Sequence, residues 1–465
     1  MSERSNFFIG VYRFLRMRGK RMFDRFVNDR LKHGVLTAIP FWAGSFIVAV
    51  IAVIYASLFH HAELAMFWLL GFKKWLVFLI LPTAFILSWW VVKRFAPYAK
   101  GSGIPQVIAA VELAAPETDK KISKLLSLRV MVVKVISSLV LVLGGGNIGR
   151  EGPTVQISGS VFNFINSIIP KWWPKVSHKN MILTGAAAGL SAAFNTPLGG
   201  IVFAVEDLTK IHFSYFKTAV FTAVIIAGLT AQQLAGSYLY LGYPAVAQLG
   251  FKEYAVVILV AAIAGLSAAV TSKIILAILR LRKTLKTNKD QVVFLFSSAM
   301  VVASFAYFVH DSILSSGKDL MEHYLFTSDK HAAGFIPLSR ILGNTLSFTT
   351  GGAGGIFAPA LSSGASIGSA VSGWFELSAP QTNVMMLAGM VGFLTGITRS
   401  PFTSAILVLE MTDRHSIILH LMTAALVASI FARIIARRSL YDSLKISYMK
   451  ELDAAPGTQA SKAYT

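Results

Sequence analysis

The residues of this chain that could do chemistry are a few acids and hydroxyls set in apolar sequence. Glu151 stands in Gly149-Arg-Glu-Gly-Pro153. A carboxylate in such a stretch is expensive and is usually retained for function. Its plain structural alternative is an ion pair with Arg150. Glu206 and Asp207 end the apolar run 199–205 and precede Lys210. They read as an acidic pair at a water interface, although acids near a helix C-terminus oppose the helix dipole. Ser102 lies in Gly101-Ser-Gly-Ile-Pro105 and reads first as a helix N-cap. Lys134 reads as a snorkelling lysine, Phe357 as core, and Tyr441, in Ser439-Leu-Tyr-Asp442, as an interfacial tyrosine.

Glycine-rich breaks surround these residues. They are 101–105, 144–153, 185–200 and 351–359, each inside apolar sequence. Gly permits left-handed turns and close backbone approach, and Pro suits a helix's first turn. Each break therefore predicts a loop that ends where a helix begins. A helix start exposes unpaired N–H groups and about half a positive charge. Several converging starts would hold an anion without a full cation. Irregular backbone at membrane depth is tolerable only where it lines a cavity or is buried in protein. One break alone would be ordinary packing; four, two of them repeat-related, favour a site.

The elements that must position these groups are membrane spans. Of 465 residues, 55% are apolar and 14% charged, against about 25% charged in ordinary soluble domains. Residues 36–58 carry no charge, and 76–92, 135–148, 254–272 and 415–431 are nearly as bare. About 20 such residues cross a bilayer as a helix. The block 181–205 is cut by Gly and Pro and predicts a broken span. The expectation is an all-α polytopic membrane protein. Residues 1–33 form a basic amphipathic N-terminal segment, 34–450 one transmembrane domain, and 451–465 a disordered tail. Basic flanks stay in the cytoplasm, which places both termini there. The net charge of +21 is then topology and contact with membrane lipids. Nucleic acid is not expected as a partner, because the basic residues flank spans. A compact chain with no appended soluble domain points to a prokaryotic inner (plasma) membrane.

The chain is also self-similar. Pro153 and Pro359 lie 206 positions apart in 150–159 and 356–365; Pro197 and Pro401 lie 204 apart, each nine residues before a glutamate, Glu206 and Glu410. Two independent pairs with nearly equal offsets predict a duplicated half, approximately 34–240 and 250–440. Transporters often carry their sites between such halves.

GSGIP at 101–105, GREGP at 149–153 and GGIFAP at 354–359, in that order, resemble the three signatures of the CLC family of chloride channels and transporters. The likeness runs from about residue 35 to 450 and is most like the bacterial chloride/proton antiporters. It implies two inverted halves per subunit and a homodimer with one pore in each subunit. It implies that Ser102 and Tyr441 offer hydroxyls to a central chloride, with backbone N–H groups of Ile356 and Phe357. Gly149, Arg150 and Gly152 join the chloride-binding set at the other helix start. It makes Glu151 the external gate: ionised, it occupies the anion path as a chloride mimic; protonated, it swings out and carries the proton. The internal proton relay falls on the pair Glu206 and Asp207. The family's exchangers usually have Glu at the second place, and Asp207 is a departure: still titratable, one methylene shorter. Lys134 matches a lysine near the anion path.

The implied function is chloride/proton antiport, with chloride and protons as transported ligands, no cofactor, no metal and no catalysed reaction. A passive chloride channel on the same fold is the nearest alternative, since channels commonly have an uncharged residue in place of Asp207. A fluoride/proton exporter is less favoured, because fluoride exporters depart from the motif that holds Ser102. Gly144–Gly149 satisfies a nucleotide-binding G-x-G-x-x-G pattern, but membrane-length sequence precedes it instead of a strand. Gly364-x-Ser366-x-Gly368 satisfies the nucleophile-elbow pattern of an intramembrane hydrolase. Small residues there suit helix packing better, and no base recurs nearby. With no cysteine and no H-E-x-x-H spacing, nothing in the sequence suits a metal.

Overall fold

The computed structural model describes residues 29–114, 119–170, 172–174, 176–209, 217–236 and 239–454. Most of the basic N-terminal segment, Lys210 and residues 455–465 lie outside them. In an apolar surrounding the backbone must satisfy itself, and a helix does so within one segment. The first half holds α1 (Asp29–Phe72), α2 (Val77–Phe95), α3 (Ile104–Glu112), α4 (Asp119–Leu125), α5 (Leu128–Leu143), α6 (Glu151–Ile168), α7 (His178–Phe194), α8 (Pro197–Phe203) and α9 (Lys217–Ala235). The second holds α10 (Phe251–Thr284), α11 (Asn288–Phe308), α12 (Lys318–Phe326), α13 (Phe335–Phe348), α14 (Phe357–Trp374), α15 (Ala379–Thr398), α16 (Pro401–Thr412), α17 (Ile418–Ile435) and α18 (Leu440–Asp453). Among the described residues, 7 helices are long and apolar enough to cross a membrane. This is a multi-pass membrane protein. The other helices are shorter or more polar, and several begin at the glycine breaks.

Those breaks pair with each other. Gly149 N donates to Gly355 O (2.8 Å) and Gly355 N to Gly149 O (2.7 Å), an isolated antiparallel bridge. Gly101 N donates to Gly352 O (2.7 Å) and Gly354 N to Gly101 O (3.1 Å), a parallel bridge. The starts of α3, α6 and α14 are thereby tied at one place. Gly149 and Gly355 are repeat equivalents, 206 apart like the prolines. Each bonds the other.

The second repeat pair behaves the same way. Glu206 accepts from Phe402 N (3.2 Å), Thr403 N (2.6 Å) and Thr403 Oγ1 (2.7 Å), at the start of α16. Glu410 accepts from Leu198 N (3.0 Å) and Gly199 N (2.6 Å), at the start of α8. Each half's glutamate thus satisfies the orphan amides of the other half's broken helix.

Inside, α14 and α15 cross with backbones in contact. A Cβ on Gly368 would come within 2.7 Å of Met386 Cα, and one on Gly389 within 3.0 Å of the Gly364 carbonyl carbon. The Gly364-x-Ser366-x-Gly368 pattern is therefore packing, and Ser366 Oγ donates within its own helix to Ser363 O (2.8 Å). Residues 451–453, assigned to the tail, are helical, and 455–465 lie outside the described residues. Helix α18 runs to Asp453, because Leu452 is buried and Glu451 is clamped by Lys100 (2.8 Å) and Lys283 (3.0 Å). Burial opposes ionisation of Glu451, but the two lysines prevail and hold its carboxyl below the usual carboxylate range.

Because α14 also carries Phe357, its packing sets the site. Gly364→Leu should cost about 1–3 kcal/mol by overpacking, or abolish folding. Thermal melting and size-exclusion elution of detergent-purified protein check this. Gly71→Leu, at a position with open space around it, should elute and melt like the parent.

Candidate anion site and its acids

The site forms where the three tied helix starts converge. Gly103 has φ +101°, and a Cβ there would meet Gln156 Cβ at 2.7 Å, so the α3 start can lie against α6 only with glycine. Gly152, at the start of α6, is in contact with Ser102, and a Cβ on it would lie 3.3 Å from Gly355 Cα. The first amides of each helix have no intrahelical acceptor. Three partial positive ends therefore face one buried spot.

Side chains complete it. Ser102 does not cap α3: the N-cap is Gly103, with no side-chain bond. Its hydroxyl instead lies 3.5 Å from the Tyr441 hydroxyl, and both groups are buried. The Tyr441 ring stacks on Phe357, centroids 6.3 Å apart and 20° between planes. Lys134 does not snorkel. It is fully buried, and its Nζ donates to Ala99 O (2.8 Å) and Gly101 O (2.7 Å). It braces the backbone just before Ser102. Arg150 Nη1 donates to Ala56 O (2.9 Å), and its guanidinium lies 5.9 Å from the Tyr240 ring centroid. Ile356 and Phe357 are buried at the start of α14.

Glu151 is the first residue of α6 and only 1% exposed. Its Oε1 accepts from the Tyr240 hydroxyl (3.3 Å). Its Oε2 is buried without a hydrogen-bond partner. That oxygen sits over Gly149, and the Cβ that Gly149 lacks would lie 3.2 Å from Ala358 N. The carboxylate thus lies across the two repeat-related helix starts. Around it opens a cavity of about 350 Å³, whose wall includes Arg150, Lys318, Tyr240, His60 and Glu63.

Tyr240 has no motif signal. It stands in a turn beyond α9 and reaches Glu151 only through the fold. It also begins a series of rings. Tyr240 packs edge-on to Phe194 (5.1 Å), Phe194 lies 6.1 Å from Phe357, and Phe357 stacks on Tyr441. A continuous aromatic wall joins Glu151's partner to Ser102's partner.

The adjacent acids Glu206 and Asp207 part company. A π-helical turn spans Ala204–Thr209. Such an extra residue in the turn redirects side chains and is frequent at functional sites. Both oxygens of Glu206 accept backbone amides at the α16 start. Asp207 is buried and makes a short hydrogen bond with the Ser400 hydroxyl.

Residues 83–433 match the family model described as voltage gated chloride channel. A Salmonella paratyphi A protein named H(+)/Cl(-) exchange transporter ClcA is 28% identical over 404 residues, 83% of each chain. The ClcA of Citrobacter koseri is 28% identical over 403 residues, with the same coverage. Among solved structures, a slow cyanobacterial Cl-/H+ antiporter superposes with TM-score 0.77 at 23% identity, covering 90% of this chain and 98% of that one. A CLC-type fluoride/proton antiporter superposes with TM-score 0.74 at 18% identity, covering 89% and 98%. With three glycine-bound helix starts around one buried spot, and a family model spanning most of its length, this chain belongs to the voltage-gated chloride channel (CLC) family.

Proposed function

We propose that this protein exchanges chloride for protons across a prokaryotic inner membrane, with Glu151 as gate and external proton carrier. One observation carries the reading: a buried carboxylate, with one oxygen unpartnered, lies across two helix starts that suit any anion. Chloride and carboxylate compete for the same amides, and protonation removes the carboxylate from that competition. The relatives named exchange transporters support proton coupling. The fluoride/proton antiporter has the same fold, so the fold leaves the halide open. Ser102 in its Gly101–Pro105 motif favours chloride. The central ion then rests against Ser102, Tyr441 and the amides of Ile356 and Phe357, with Gly149, Arg150 and Gly152 offering amides at the outer start. Asp207 is the internal relay, loading protons past Ser400 toward Tyr441 and the aromatic wall. Lys134 acts by bracing the Ser102 loop.

In the same reading, residues 34–450 form one transport domain of two inverted halves, with both termini cytoplasmic. Two copies pair through apolar side chains on α8, α9, α16 and α17. Leu198 and Phe402 (54% exposed each), Leu229 (53%) and Ile430 (63%) present such a surface on helices that pack side by side.

The test is flux from liposomes holding folded Glu151→Gln protein. Chloride should still leave, with little pH dependence, while proton counter-movement falls at least about tenfold, as loss of a proton-transfer group does. Persistent coupling in folded protein sinks the gate assignment, and a passive channel predicts uncoupled flux already in the parent. Asp207→Asn should likewise keep chloride movement and lose proton movement. Glu206→Ala should do the reverse: coupling survives in the folded fraction, and stability falls by about 0.5–2 kcal/mol as for a lost helix cap. Coupling lost in Glu206→Ala and kept in Asp207→Asn would exchange their roles.

A further inference from the structure

A second cavity, of about 640 Å³, opens beside Gly101, Leu444 and Tyr448. Six cations line it: Lys93, Lys100, Arg280, Arg282, Lys283 and Arg438; Glu451 is its one carboxylate, leaving a surplus of five positive charges. Some of the cations are committed. Lys100 and Lys283 share Glu451. Arg282 turns inward to Thr349 O (2.6 Å) and Gln291 Oε1. Lys93 donates to Asn288 Oδ1 (2.5 Å). Arg280 and Arg438 are exposed and have no hydrogen-bond or ion-pair partner among the described residues.

The rest of the wall is apolar, with Trp89, Leu276, Leu279 and Phe348 facing the same space. A passing chloride needs no such surface. Its level is also telling: Lys93 is in the last turn of α2 and Lys283 in the last turn of α10, both membrane-crossing helices. Lys and Arg side chains near the ends of spans reach the membrane–water interface. Polybasic clusters at that level select anionic headgroups. A zwitterionic headgroup would bring its own ammonium against the surplus.

We propose that this cavity binds the phosphate of an anionic phospholipid between Arg280 and Arg438, with its glycerol and first acyl carbons on the Trp89–Leu276–Leu279 surface. The occupant touches α18, the helix that carries Tyr441, and so lies against the inner end of the anion path. The binding itself does not depend on proton coupling.

The test is native mass spectrometry of the full chain in detergent, titrated separately with phosphatidylglycerol, phosphatidylcholine and glycerol 3-phosphate. Phosphatidylglycerol should be retained at about tenfold lower concentration than phosphatidylcholine, the scale two charge contacts supply. In the double variant Arg280→Gln/Arg438→Gln the two lipids should come within about twofold, with elution and melting like the parent. Equal retention of both lipids by the parent overturns the proposal, as does an undiminished preference in the variant. Glycerol 3-phosphate retained at the concentration of phosphatidylglycerol overturns the lipid assignment in favour of a water-soluble phosphate.

Discussion

The structure depends on unpaired backbone amides held together in an apolar interior. A helix that starts inside a membrane leaves its first N–H groups without acceptors, and leaving such groups buried alone is costly. Here three such starts meet, and the Glu151 carboxyl lies beside two of them with one oxygen unpartnered. The fixed cations nearby are used elsewhere. Lys134 is given to the carbonyls of Ala99 and Gly101, and Arg150 reaches the Ala56 carbonyl. In the proposed exchange an anion meets amide dipoles and hydroxyls instead of a point charge. Such a site can bind an ion and still release it, which transport requires.

That geometry survives because the two halves hold each other. Gly149 and Gly355 bond reciprocally, and Glu206 and Glu410 each cap the other half's short helix. In both cases a contact is made twice, by residues 206 or 204 positions apart in the sequence. A duplicated chain gains this cheaply, since one favourable contact is made twice. The cost is that neither half can satisfy its broken helices alone. The halves should then fold or fail as a unit, and a change at one helix start is felt at its equivalent.

Much of this was legible in the sequence, because helix breaks and repeats leave marks in residue type. Gly101, Gly103, Pro153 and Pro359 told where helices start, and the offsets 206 and 204 reappear as the bridge and the paired caps. What tertiary contact decides was not legible. Tyr240 lies in a turn with no pattern around it, and its bond to Glu151 joins residues 89 apart. Ser102 has the type and place of an N-cap, yet the left-handed Gly103 takes that position and turns the hydroxyl toward Tyr441. Lys134 sits in an apolar run like a snorkelling lysine, and only the fold shows the two carbonyls that draw it inward.

The acids at 206 and 207 show how one backbone feature can divide two neighbouring carboxylates. On a regular α-helix, adjacent residues point about 100° apart, and both would stay near the surface of a short helix's end. The π turn over Ala204–Thr209 widens the helix there. Glu206 then reaches across to the amides of Phe402 and Thr403. Asp207 turns into the protein against Ser400. A hydroxyl can rotate to donate to the carboxylate or to accept from the acid, so Ser400 suits either protonation state of Asp207. The shorter side chain at 207 is consistent with that partner: Asp meets Ser400 directly. The departure from the glutamate usual at this place is therefore matched by a partner that holds Asp207 in position.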